Sequence, residues 1–248
     1  MRKLLVILVC LVCAFNAQAS HIIGGQVYYK LKRVSGNMNT NTVSMKLYRI
    51  CGSGQNIAEM PTSIILASFD RGNNSYVAEY KIDRTSFEVK NLAQVDPCIV
   101  NPPPVCFQVG LFETDITLPL NASGYTIAFQ SCCRDPFMMN IVAEPIPGGR
   151  PGDLGTGATY YIDIPGSNSG AQNNSSPVFN KEEATLVCAE KKFTYDFSAT
   201  DPDGDSLSYE FCDAYKGGRT TDQGGIPPAA VNPPYSFVSY VSPFDGQH

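Results

Sequence analysis

Apolar and polar residues alternate with a period of two along much of this chain. Val43, Met45 and Leu47 alternate with Ser44, Lys46 and Tyr48. Tyr125, Ile127 and Phe129 alternate with Thr126, Ala128 and Gln130, and Phe193, Tyr195, Phe197 and Ala199 with Thr194, Asp196 and Ser198. Successive side chains of a strand point to opposite faces, so this period predicts half-buried β-strands. Further strands are predicted over 25–31, 63–69, 76–82, 107–114, 160–164 and 206–211. Turn formers separate them at Ser35-Gly36-Asn37, Arg71-Gly72-Asn73-Asn74, Asn121-Ala122-Ser123-Gly124 and Pro147-Gly148-Gly149. No window carries a helical stripe. Short strands at this spacing predict an all-β protein, arranged as tandem immunoglobulin-like β-sandwiches.

The pattern breaks at both ends of the first unit. Arg2 and Lys3 precede a short apolar run over 4–15, and Ala17-Gln18-Ala19 supplies small residues at a cleavage site. Residues 1–19 therefore read as a signal peptide, with the mature chain starting at Ser20. The apolar run falls short of the roughly 20 residues needed to span a bilayer, and no later segment is apolar enough to do so. Residues 20–165 read as the first sandwich. The Gly-, Ser- and Asn-rich stretch 166–175 reads as a linker, and 176–248 as the start of a second sandwich that the chain leaves incomplete.

Charge and composition narrow the function. With 18 Lys and Arg against 23 Asp and Glu, the net charge is −5. No basic cluster forms, which argues against nucleic acid as a partner. Only His21 and His248 are present, so a Ser-His-Asp or Cys-His arrangement is hard to assemble. The reading is non-enzymatic.

Export also changes how the nine cysteines read. Cys10 and Cys13 leave with the signal, and an odd number remains in a compartment that favours disulfides. Cys188 and Cys212 flank an Asp-rich turn and are expected to pair. Cys98 and Cys106 bracket the Pro102-Pro103-Pro104 loop and are expected to close it. Cys132 and Cys133 end a strand on opposite faces and should reach different partners, with Cys51 the candidate for one of them.

The Asp-rich turn is the strongest motif. Asp201, Asp203 and Asp205 sit at alternate positions in Thr200-Asp201-Pro202-Asp203-Gly204-Asp205. Hard oxygen ligands at this density suit Ca²⁺, which accepts six to eight oxygens in irregular loops. It is not an EF-hand, because Ser206 stands where that loop needs Gly and the closing Glu is missing. Asn173 and Asn174 in the linker would add oxygens from the other side. The competing reading is an ordinary solvated Asp/Gly turn.

The Asn173-Asn174-Ser175-Ser176-Pro177-Val178-Phe179 linker followed by the Asp turn resembles the calcium-sharing joints of cadherin-like and related immunoglobulin-like domains. More broadly, the chain resembles the N-terminal region of large gliding-motility-associated, type IX-secreted surface proteins of Bacteroidota. The residues that carry this are Ser20-His21-Ile22-Ile23-Gly24-Gly25, Leu47-Tyr48-Arg49-Ile50-Cys51, Cys132-Cys133-Arg134, the linker, the Asp turn and Pro233-Pro234-Tyr235. The resemblance implies a secreted cell-surface structural or adhesion module, calcium-rigidified, binding a protein or polysaccharide ligand. The alternatives are a carbohydrate-binding module using exposed Tyr and Phe, or the non-catalytic N-terminal part of a secreted hydrolase.

Overall fold

The computed structural model describes residues 22–51, 59–91, 98–101, 105–132, 134, 138–145, 154–181, 186–188, 190–218 and 229–246. The expected Ser20 start, His21, Cys133, Pro102-Pro103-Pro104 and His248 lie outside them. Strands occur in chain order as β1 (Ile22–Ser35), β2 (Met38–Ile50), β3 (Ser63–Asp70), β4 (Tyr76–Asn91), β5 (Cys106–Pro119) and β6 (Gly124–Ser131). They continue as β7 (Glu144–Pro145), β8 (Leu154–Gly155), β9 (Ala158–Pro165), β10 (Val178–Phe179) and β11 (Ala199–Thr200). The only helical element among the described residues is one 3₁₀ turn at Ser167–Ser169. The protein is all-β.

Seven strands form one antiparallel sheet in the order β1-β2-β5-β4-β3-β6-β9. The long β4 belongs to both halves. Its first part pairs with β3, from Phe69 opposite Tyr76 to Ser63 opposite Asp83, and its second part pairs with β5, from Arg84 opposite Phe112 to Asn91 opposite Cys106. A register shift between Arg84 and Ser86 marks the crossover, where an extra residue bends a strand and raises its twist. The two halves close over a common core in the manner of a sandwich. Val43, Met45 and Leu47 of β2 and Phe112 and Ile116 of β5 meet Ile64 and Leu66 of β3 and Ile127 and Phe129 of β6, all essentially without solvent exposure.

Turn chemistry sets the registers. The β1–β2 hairpin turns through Gly36 at φ +57° and Asn37. At the start of β6, Gly124 sits at φ +84°, and its N–H donates to Asn121 Oδ1 at 2.5 Å. A Cβ there would lie 2.1 Å from the Ile164 carbonyl, so only glycine lets β9 approach.

The later residues wrap the sheet. Ser176 N–H donates to the Tyr29 carbonyl at 2.9 Å, and the Tyr29 and Leu31 N–H groups donate to Ser176 Oγ and Ser175 Oγ. This covers part of the outer edge of β1. On the other edge, Thr159 N–H in β9 donates to the Tyr215 carbonyl at 3.2 Å. Tyr215 in turn bridges Phe237, and Tyr240 bridges Ile141, so three irregular ribbons extend the sheet beyond β9. A strap, described over residues 214–218 and 229–241, also covers the outward face of β3 and β6. Phe69, Ala67 and Ala128 point away from the main core, yet they are buried against Ala230, Tyr161 and Tyr235. Every residue of β6 is buried for this reason.

Seven of the nine expected strands form. The runs at 193–199 and 206–211 do not, apart from Ala199–Thr200, which pairs with Val178–Phe179 in a two-stranded ladder. Alternation makes a strand only where a neighbouring strand supplies partners. Here Phe193, Phe197, Tyr209 and Phe211 stay at least half exposed.

The disulfides correct the expected pairing. Cys51 bonds Cys106, with Cα atoms 5.4 Å apart, and Cys98 bonds Cys188, with Cα atoms 6.6 Å apart; both spacings suit a bridge. Cys106 does not close the proline loop on Cys98, because the β2–β5 register puts Ile50 opposite Phe107 and so Cys51 beside Cys106. Cys188 does not reach Cys212, which is a free, exposed thiol. Instead the second bridge ties residues beyond the linker to the loop after β4. Cys132 is disulfide-bonded and buried at the end of β6.

Non-reducing peptide mapping should recover Cys51–Cys106 and Cys98–Cys188 peptides and alkylate Cys212 without reduction. Replacing Cys98 and Cys188 together by Ser should cost about 2–5 kcal/mol of stability in denaturant melts. A Cys98–Cys106 peptide would contradict the register argument, and a Cys188–Cys212 peptide the second bridge.

Candidate functional site

Three places in the fold gather candidate functional residues. The first is the Asp turn. Asp201 Oδ1 accepts from the N–H groups of Asp203 at 2.8 Å and Asp205 at 3.2 Å, so its carboxylate caps the turn, while Gly204 supplies φ +82°. Asp203 Oδ2 accepts from Ser175 N–H at 2.5 Å, which docks the turn directly on the linker. Tyr29 sits at this joint. Burial pushes its phenol up to about 12, a hydrogen bond from the Asn174 side chain pulls the other way, and the charges of Asp203, Asp163 and Asp201 add to the rise. The fold therefore brings Asn174, Asp201 and Asp203 to one place. Asp205 stays exposed beyond them, as does Asn173 on the linker. Among the described residues, no three His, Cys, Asp or Glu side chains are grouped to hold a metal ion.

The second place is a groove of about 480 Å³ on the outer face of β1, β2 and β5. Tyr48, Ile50 and Phe107 form its floor, and Phe179, Tyr195 and Phe197 form the opposite wall. The wall rings touch, with Tyr195 and Phe197 centroids 4.7 Å apart in an edge arrangement. Lys181 and Asp196, 3.6 Å apart, stand among the lining residues. The Cys98–Cys188 bridge holds the covering segment to the loop after β4. The alternation at 193–197 thus finds a use as a wall rather than as a strand.

The third place is a cavity of about 270 Å³ where the ends of β6 and β9 meet the strap. Sequence reasoning missed it, because its walls come from five separated stretches. Lys216 Nζ and Glu144 form an ion pair at 2.9 Å, and each side chain is about one-third exposed. Gln130 donates to Thr159 Oγ1 at 2.8 Å and accepts from Val231 N–H at 3.1 Å. Tyr235 packs against Tyr161, with centroids 5.6 Å apart, and its buried hydroxyl has no partner among the described residues. Gly157 faces Gly217 so closely that a Cβ on Gly157 would fall 1.5 Å from the Gly217 carbonyl oxygen. The signal available in the sequence was the cluster Lys216-Gly217-Gly218, but nothing local connects it to Glu144.

Two motif arginines are structural. Arg134 Nη2 donates to the Tyr215 carbonyl at 2.8 Å and Nε to the Gly157 carbonyl at 3.1 Å, fastening the strap to β9. Arg49 is buried on β2 and donates to Gln108 Oε1 at 2.6 Å, and burial lowers its pKa.

Several phenols are held protonated by the fold. Burial pushes Tyr160 up to about 12. Tyr161 is raised by its hydrogen bond with Tyr215 and then by burial, and Tyr235 by burial and then by the charge of Tyr161. A phenol whose folded pKa exceeds the unfolded value near 10 stabilises the fold fully below that value, and its contribution is lost as pH rises through the folded pKa. Stability should therefore hold to about pH 10 and fall between about 10 and 12. An absorbance titration of the 13 tyrosines, followed with circular dichroism, should show a late class whose ionisation coincides with unfolding. Ionisation of every tyrosine near pH 10 with the fold intact would contradict it.

Compared with protein-family models, with curated proteins and with solved structures, the chain matches none.

Proposed function

We propose that this chain is a non-enzymatic, exported surface module that works by binding, and that its tandem immunoglobulin-like units belong to a larger adhesive or structural protein of the cell exterior. The observation that carries this reading is the pair of disulfides on a sheet already closed over its own core. Cys51–Cys106 locks the ends of β2 and β5, and Cys98–Cys188 clamps a covering segment to the outer face. Bridges of this kind persist in oxidising compartments. A sandwich so pinned presents grooves and loops of fixed shape, which lowers the ordering cost of binding. Among the described residues no helix is long and apolar enough to cross a membrane.

Calcium belongs to the same reading. The Asn174 side chain, the Asp201 and Asp203 carboxylates and the Ser175 backbone converge beside Tyr29. An ion drawing oxygens from Asn174, Asp201 and Asp203, with Asn173 and Asp205 on the exposed arms as further candidate ligands, would stiffen the joint between the units. Its charge would offset the repulsion of neighbouring carboxylates.

Two measurements test this function. Labelling of intact cells with a membrane-impermeant amine reagent should modify the protein as fully as labelling of a lysate. Protein reached only after lysis sinks the surface reading. The joint is tested by thermal melts in millimolar Ca²⁺ and in chelator. Binding to the folded state alone stabilises by about 2.7 kcal/mol when free ion stands near 100 Kd, and Asp203→Asn should shrink the gain while leaving the cores folded. Equal melting temperatures in the two conditions reduce the motif to a self-capped turn.

A further inference from the structure

We draw no further inference here: the strongest candidate, the aromatic groove on the outer face of β1, β2 and β5 between the Tyr48–Phe107 floor and the Tyr195–Phe197 wall, carries none, because nothing in the structure shows what covers it.

Discussion

An antiparallel sheet that ends at β1 and β9 leaves a row of backbone N–H and C=O groups on each outer edge, and this chain covers part of both rows with its own later residues. Open edges invite pairing with other chains, and natural sheets pair, cover or distort them. Ser175 and Ser176 do this for Tyr29 and Leu31 of β1. Tyr215 does it for Thr159 of β9, and Phe237, Tyr240 and Ile141 carry the extension outward. The positions of the Asp turn, the strap and the cavity follow from these two contacts.

The covering segments also give the sheet a second layer. In an isolated antiparallel sheet, one face meets the core and the other meets water. Here Phe69 and Ala128 point outward and are still buried, because Ala230, Tyr161 and Tyr235 lie over them. On the other half, Phe107 and Val109 lie on the outer face and are nearly buried too. Where the cover fits tightly, it makes core. Where its polar groups hold it off the sheet, it leaves the Lys216–Glu144 cavity, and where aromatic rings stand over the sheet it leaves the groove. Both hollows are seams between sheet and cover.

The same geometry explains the bridges. Cys51–Cys106 joins neighbours already in register and fixes the strand ends. Cys98–Cys188 closes a span of 90 residues, tying the outer cover to the loop after β4. In the chain-entropy account, a bridge over a span that long removes more freedom from the unfolded chain than a short loop closure would. Cys212 is left with a thiol on the surface, since Cys188 is bonded to Cys98.

The sequence by itself determined the strands of the large sheet and the all-β class, since the period of two at 43–48 and 125–130 is a local property of the chain. It also located the turns, because Gly36 and Gly124 take backbone conformations that other residues resist. It brought the Asp turn and the Asn linker to notice, and the fold does join them at Tyr29 through Asp203 and Ser175. Only the tertiary structure decided the disulfide partners, because Cys51 and Cys106 meet through a register 55 residues apart. It alone decided that the apolar alternation at 193–197 would form a wall and not a paired strand, because pairing needs a neighbour that no local pattern supplies. The cavity was beyond the reach of sequence for the same reason. Gln130, Glu144, Lys216 and Tyr235 are unremarkable one by one, and they become a site only when a strap of later residues folds back onto the edge of β9.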